Sequence, residues 1–154
     1  MGRIWISSLL FLLGACSSLS GMIPFMGPPK TRIDEVRITA DAGANGNHPT
    51  RLDLVFIYDK SVQAALPKSG PEWFKQKAAL LSAYPKKLDV ASFELPPLSV
   101  VSPAGLPENF GKALVVLAYA DYRSPGGQGV ADMTTLKCPL IRLGAGSFAV
   151  EEQH

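Results

Sequence analysis

Prolines and glycines recur along the whole sequence and leave few long uninterrupted stretches. The 154 residues include 13 prolines and 14 glycines, and both residue types favour turns over the interiors of helices and strands. Segments this short suit strands joined by turns better than long helices. The chain is therefore expected to be mainly β, and a helical bundle is not expected.

The composition is that of one globular domain. Hydrophobic residues make up 47% and charged residues 18%, which argues against a disordered or fibrous chain. The length also fits about one domain. The formal net charge is only +2, which is too small to indicate electrostatic binding to nucleic acid. No nucleic-acid partner is expected.

The first sixteen residues have the layout of a secretory signal peptide that ends in a cysteine. Arg3 supplies a positive charge, residues 4–13 are largely apolar, and Gly14 and Ala15 precede Cys16. This order matches the charged, apolar and small-residue regions of such signals. A ten-residue helix rises about 15 Å, half of a hydrocarbon core of about 30 Å, so the apolar run is too short to span a membrane.

The Leu-Gly-Ala-Cys sequence that ends at Cys16 resembles the lipobox of bacterial lipoproteins. The resemblance implies that residues 1–15 are removed and that the Cys16 thiol is acylated, which anchors the mature chain in a membrane. Ser17, rather than an aspartate, follows the cysteine and resembles a signal for sorting to the outer membrane. The alternative is an ordinary signal peptide cleaved after Ala15.

Residues 16–31 are expected to form the lipidated cysteine and a flexible tether. From residue 17 onward this segment holds three prolines, two glycines and three serines without periodicity, as is typical of linkers. Residues 22–26 are apolar for a linker, and packing on the domain and contact with lipid headgroups are both open. Residues 32–154 are expected to form a single domain.

Short segments rich in β-forming residues continue to the C-terminus. Residues 52–58 and 113–122 are apolar on both faces, which is typical of strands at the centre of a buried sheet. Five further strands are expected, over residues 32–39, 88–93, 99–101, 133–143 and 147–151. Seven strands with one inserted helix predict an all-β fold, a two-sheet β-sandwich.

The one predicted helix begins at Pro71, which suits a first helical position, and ends before Pro85. Its apolar residues fall on one broad face. Lys77 lies within that face and is expected to extend its amine toward solvent.

The sequence offers few residues for catalysis or metal binding. The histidines are His48 and His154, and with Cys16 acylated the remaining thiol is Cys138. These are too few ligands for a metal site, and neither a phosphate-binding glycine loop nor a nucleophile elbow occurs. We expect no enzymatic activity, no metal, no cofactor and no small-molecule substrate. Cys138 is expected to pack as a small buried residue in a strand.

The order of these segments resembles that of the TssJ (VasD-type) outer-membrane lipoproteins of the bacterial type VI secretion system. The resemblance covers most of residues 32–123. It rests on the lipobox and on the following segments: Asn45-Gly46, His48-Pro49, LDLVFIYD, Trp73-Phe74, LDVASFELPP and ALVVLAYADYR. It implies an antiparallel, transthyretin-like sandwich with a helical addition.

The resemblance also implies a structural task and a partner. The lipoprotein would sit on the periplasmic face of the outer membrane and hold the periplasmic domain of TssM, the large inner-membrane component. In the family, the loop between the first two strands engages that partner. Here the loop is residues 41–50, with Asn45, Gly46, Asn47 and His48 as candidate binding positions. Without the resemblance, an ordinary surface turn is the simpler interpretation.

Two other binding functions remain open from the sequence. One is a lipoprotein that pilots or chaperones another secretion component, and the other is an immunity-type periplasmic inhibitor of an effector.

Residues 41–50 show no apolar periodicity. Their side chains are therefore expected to contribute little to the core.

Overall fold

The computed structural model describes residues 27–153. The predicted signal peptide, Cys16 and residues 22–26 lie outside the described residues. Within them, the chain forms eight strands and one α-helix, α1 (Gly70–Ala83). The strands are β1 (Arg37–Ala40), β2 (Thr50–Ile57), β3 (Leu88–Leu95), β4 (Val100–Val101), β5 (Val115–Ala120), β6 (Val130–Asp132), β7 (Pro139–Leu143) and β8 (Phe148–Glu152). Short 3-10 helices cover Ala44–Gly46, Lys60–Ala65, Phe110–Lys112 and Pro125–Gly127.

The strands form two four-stranded sheets. One has the order β4-β1-β7-β8 and the other the order β3-β2-β5-β6. Neighbouring strands are antiparallel except β1 and β7, which run parallel. The predicted sandwich with one helix is confirmed, and that pair is its one departure from a fully antiparallel arrangement.

The main core lies between the two sheets. Leu52, Leu54 and Phe56 project from one face of β2 and are fully buried. They pack in one cluster with Ile38 of β1 and Ile141 of β7 from the opposite sheet. Alternate residues of a strand point to opposite faces. The intervening residues of β2 therefore face away from this core, and another element of the fold must bury them.

Helix α1 covers the second face of the β3-β2-β5-β6 sheet. Val55 and Ile57 of β2 belong to a second buried cluster that includes Trp73 of the helix and Tyr119 of β5. The rings of Trp73 and Tyr119 stack with centroids 4.9 Å apart and an interplanar angle of 16°. The prediction that residues 52–58 and 113–122 hold central strands buried on both faces is confirmed.

A buried carboxylate ties the helix to the sheet. Asp53 of β2 is 2% exposed, and its Oδ2 accepts a 2.8 Å hydrogen bond from Trp73 Nε1. Lys77 Nζ lies 2.8 Å from the same oxygen and also donates to Ser92 Oγ at 2.8 Å. The expectation that Lys77 extends toward solvent is therefore wrong, because its amine reaches a buried partner.

The sequence predicted a single strand over residues 133–143, and this prediction is wrong for residues 133–138. Strand β6 ends at Asp132, whose Oδ1 accepts the backbone N–H of Thr134 at 2.8 Å, a local bond typical of turns. The chain re-enters a sheet only at β7. Cys138 lies in a bend just before β7 and is half-buried, so the expectation of a buried cysteine within a strand is wrong.

The chain enters the sandwich at one end and forms the β1–β2 loop at the other. The Thr31 N–H donates to the carbonyl oxygen of Ala113 at 2.7 Å, and the Asp34 N–H donates to that of Lys137 at 2.8 Å. Both bonds lie where β2 ends and β5 begins, which we name the tether end. Residues 41–49 connect β1 to β2 at the opposite end, which we name the loop end. Among the described residues, no helix is both long and apolar enough to cross a membrane.

Candidate functional site

Four connections meet at the loop end of the sandwich. They are residues 41–49, 96–99, 121–129 and 144–147, each of which joins two strands at this end. Loops held on a rigid scaffold commonly carry binding function. All four sequence-predicted binding positions lie in the first connection.

Asn45 is a buried residue that holds this loop in place. Its side chain is 3% exposed, and its Nδ2 donates to the carbonyl oxygens of Asp121 at 3.2 Å and Pro49 at 3.4 Å. Its Oδ1 accepts the backbone N–H of Arg123 at 2.9 Å. Asn45 has φ +49°, a left-handed conformation that asparagine tolerates better than most residues. This residue positions the loop and is not itself an exposed contact.

Several side chains of this segment belong to the interior. Ala44, Asn45 and Thr50 are all buried, so the expectation that residues 41–50 contribute little to the core is wrong for these three. Their backbone is fixed as well, because the Asn45 N–H donates to the Gly144 carbonyl oxygen at 3.0 Å. A polar residue can be buried where backbone carbonyls surround it, and periodicity does not detect that case.

The other three predicted positions form an exposed tip. Gly46 and Asn47 have φ values of +63° and +66°, and glycine and asparagine are the residues best suited to this backbone. His48 follows them, with its Nδ1 2.8 Å from the Gly46 carbonyl oxygen. An Arg123 guanidinium nitrogen lies 2.7 Å from His48 Nε2. The same nitrogen lies 3.2 Å from His48 Nδ1, so the guanidinium contacts both ring nitrogens.

Ion pairs brace the loop on both sides. Asp41 accepts from Arg142 Nε at 3.0 and 3.1 Å, and Arg51 pairs with Asp121. Exposed pairs of this kind contribute little to stability, but they fix the positions of charges. Arg123 differs, because no carboxylate among residues 27–153 pairs with its guanidinium.

A shallow cleft of about 370 Å³ opens between the loop tip and the end of β5. Its lining includes His48, Arg51, Glu94, Asp121 and Arg123. The sequence analysis did not select the charged residues of this group. The sequence did contain one indication of these charged residues, because the segment 113–122 changes from apolar to polar where β5 ends.

Tyr122 makes the base of the loop end rigid. Its hydroxyl donates to the Gly144 carbonyl oxygen at 3.0 Å, and its ring stacks on Phe148 with centroids 6.2 Å apart. Burial, with a further effect of the Asp41 charge, raises the pKa of Tyr122 to about 12. Gly127 packs against the ring so closely that a Cβ there would lie 2.2 Å from Tyr122 Cγ. Only glycine fits at that position.

The loop end therefore offers hydrogen-bonding groups, a fixed exposed tip and the guanidinium of Arg123, which has no carboxylate partner among residues 27–153. Among the described residues, no cluster of three or more His, Cys, Asp or Glu side chains could hold a metal ion.

Comparisons with known proteins identify the fold. No protein-family model matches the sequence, and no curated protein matches it. Among solved structures, the type VI secretion lipoprotein TssJ1 from Pseudomonas aeruginosa matches with a TM-score of 0.57 and 20% identity. The match covers 82% of this chain and 98% of TssJ1.

Two further solved structures share the fold. Lip of Serratia marcescens, a membrane-bound component of the type VI secretion system, matches with a TM-score of 0.52 and 12% identity over 77% of this chain and 96% of Lip. A chain of a type VI membrane complex matches with a TM-score of 0.53 and 13% identity over 79% of this chain and 98% of that chain. The fold is that of the TssJ and Lip lipoproteins of type VI secretion, as the sequence resemblance predicted.

Proposed function

We propose that this protein is a lipid-anchored component of a type VI secretion membrane complex. In this proposal it sits on the periplasmic face of the outer membrane and holds the periplasmic domain of a TssM-like inner-membrane component. The observation that carries the proposal is the match to TssJ1 over 98% of its length and 82% of this chain. A match of this extent supports a shared two-sheet scaffold.

The anchor and the loop end lie on opposite sides of the domain in this proposal. The lipid would be on Cys16, and about fifteen residues of tether reach at most about 50 Å. The chain then joins the sandwich at Thr31, at the tether end. Strand β2 alone, with eight residues, spans about 25 Å between the two ends. The loop end would therefore face away from the outer membrane, toward a partner that rises from the inner membrane.

The proposed contact surface is the exposed tip of the β1–β2 loop with Arg123 beside it. Gly46, Asn47 and His48 are exposed, while Asn45 fixes their backbone from below. A loop that is already ordered loses less conformational entropy on binding. Arg123 offers a cation that a carboxylate of the partner can neutralise.

The test replaces the exposed tip and leaves Asn45 in place. In the variant with Asn47→Gly and His48→Ser, glycine suits the positive φ of position 47, so the melting temperature should change by only a few degrees. Its affinity for the periplasmic domain of a TssM-like inner-membrane component should fall tenfold or more, a loss of at least about 1.4 kcal/mol. The measurement is titration calorimetry on the mature chain.

A matched control is available at the tether end. Lys86 is exposed and also has a positive φ, +63°, so Lys86→Gly makes the same kind of backbone change far from the loop end. This control should bind the partner with unchanged affinity. Equal affinities for the tip variant, the control and the wild type would contradict the assignment of the tip.

A further inference from the structure

Two large apolar side chains stand out by their exposure in the part of the chain that the structure describes. Among residues 27–153 these are Leu98, at 78% exposure, and Val100, at 69%. Both belong to the β3–β4 connection and the short edge strand that follows it. They therefore lie at the loop end, two positions apart in the sequence, and we name these two residues the apolar patch.

The backbone at Leu98 is one that a leucine rarely adopts. Leu98 has φ +61° and follows Pro97 in a turn. Positive φ is an outlier for a bulky residue, and turns in which a proline precedes a positive φ usually place glycine or asparagine there. The exposed side chain adds nothing to the core. The folded domain alone therefore gives no reason for a leucine at this position, and such outliers concentrate at functional sites.

The patch is attached directly to the first residues of the β1–β2 loop. The Leu98 N–H donates to the Asp41 carbonyl oxygen at 3.4 Å, and the Ala40 N–H donates to that of Ser99 at 2.9 Å. Arg142 holds the Asp41 side chain in turn. The leucine side chain thus projects from a braced turn beside the loop that carries the exposed tip.

We propose that Leu98, supported by Val100, is an apolar anchor that inserts into a hydrophobic recess of the same partner that contacts residues 46–48. This inference rests on the proposed function and extends its contact surface from one loop to two. Specific interfaces place apolar side chains at the centre and polar groups at the rim. Leu98 and Val100 supply the centre, and His48 and Arg123 supply a polar rim. The partner surface would be an apolar recess with a carboxylate beside it, opposite the guanidinium of Arg123, which no carboxylate of residues 27–153 neutralises.

The test is Leu98→Gly in the mature chain, titrated against the periplasmic domain of a TssM-like inner-membrane component. Glycine removes the side chain and adopts the positive φ of this position without the steric cost that leucine has. The melting temperature should stay unchanged or rise by up to about 5 °C. Affinity should fall tenfold or more. Val100→Thr, which keeps the side-chain shape, should also weaken binding, and Lys86→Gly should leave affinity unchanged.

The outcomes separate this inference from the proposed function. If Leu98→Gly binds like the wild type while the variant with Asn47→Gly and His48→Ser loses affinity, the anchor is refuted and the proposed function stands. If the wild-type chain does not bind that domain, the proposed function fails and the anchor with it. A melting temperature lowered by more than about 5 °C in Leu98→Gly would show a structural leucine and overturn the inference. A wild-type dimer that Leu98→Gly dissociates, with partner affinity unchanged, would overturn it too, because the patch would then be a self-contact.

Discussion

The side-chain oxygen of Asn45 accepts the backbone N–H of Arg123 at 2.9 Å and so joins two loops whose residues are 78 positions apart. The amide nitrogen of the same side chain donates to the Asp121 carbonyl oxygen. One buried carboxamide therefore fixes the relative position of the β1–β2 loop and the end of β5. Asn45 therefore holds the backbone of Arg123 next to the exposed tip.

Replacing Asn45 with alanine should destabilise the domain by about 2–3 kcal/mol. The change leaves a partly buried backbone N–H and two carbonyl oxygens without their partner and places alanine at a positive φ. Urea unfolding of wild type and variant measures the difference. Asn47→Gly is the control, because position 47 is exposed and has φ +66°, and it should change stability by no more than about 0.5 kcal/mol. Equal stabilities of Asn45→Ala and Asn47→Gly would refute the structural role of Asn45.

Asp53→Ala should loosen helix α1 and cost about 2–4 kcal/mol. The variant leaves Trp73 Nε1 without an acceptor and Lys77 without its buried partner. Asp53→Asn keeps an acceptor oxygen for Trp73, so it should cost less. Trp73 is the only tryptophan in residues 16–154, and in a protein made of those residues its fluorescence reports the local environment during denaturant unfolding. An Asp53→Ala protein as stable as the wild type would show that the buried pair does not hold the helix.

Tyr122 should make the protein less stable at alkaline pH. Burial raises the pKa of Tyr122 to about 12 in the folded protein, whereas an unfolded tyrosine has a pKa of about 10. The unfolded chain therefore releases this proton first, so the stabilisation is complete below pH 10 and is lost as the pH rises toward 12.

The matched variant for this pH dependence is Tyr122→Phe. At pH 8 it should be less stable than the wild type, because the bond to the Gly144 carbonyl is lost. By pH 11.5 the difference should shrink by about 1–2 kcal/mol, since phenylalanine has no proton to release. Urea unfolding at both pH values gives the two differences. A difference that stays constant with pH would contradict the raised pKa.

Cys16→Ser should release the protein from membranes without unfolding the domain. The proposed anchor is the lipid on Cys16, and acyl chains supply about 0.8 kcal/mol for each buried methylene group. Fractionation of cells that lack the other secretion components measures the distribution, and the melting temperature of the purified variant confirms folding. Retention of the variant in the membrane fraction would contradict lipid anchoring.

The patterns that predicted the fold were those that depend on local sequence. Residues 52–58 and 113–122 are apolar on both faces, and a strand buried between a sheet and a helix must have this pattern. The helix was predicted from Pro71 and from its apolar face, and both of these signals lie within the helical segment itself. Each of these features is fixed by the segment's own residues.

The features that the sequence did not reveal depend on distant parts of the chain. The buried position of Asn45 requires a carbonyl oxygen and a backbone N–H from residues 121 and 123. Lys77 turns inward because Asp53 lies under the helix. Cys138 lies outside β7 because residues 133–138 form the turn between two sheets. Such contacts arise from tertiary structure, which no periodicity within one segment encodes.

The most direct test of the account asks which end of the sandwich touches the inner-membrane component in cells. A photo-crosslinking amino acid is placed at position 48 at the loop end, or at position 86 at the tether end, in cells that carry the complete secretion cluster. Both positions are exposed, so the probe should not disturb folding. The account predicts a covalent adduct with the large inner-membrane component from position 48 and none from position 86. An adduct from position 86 with none from position 48 would contradict it.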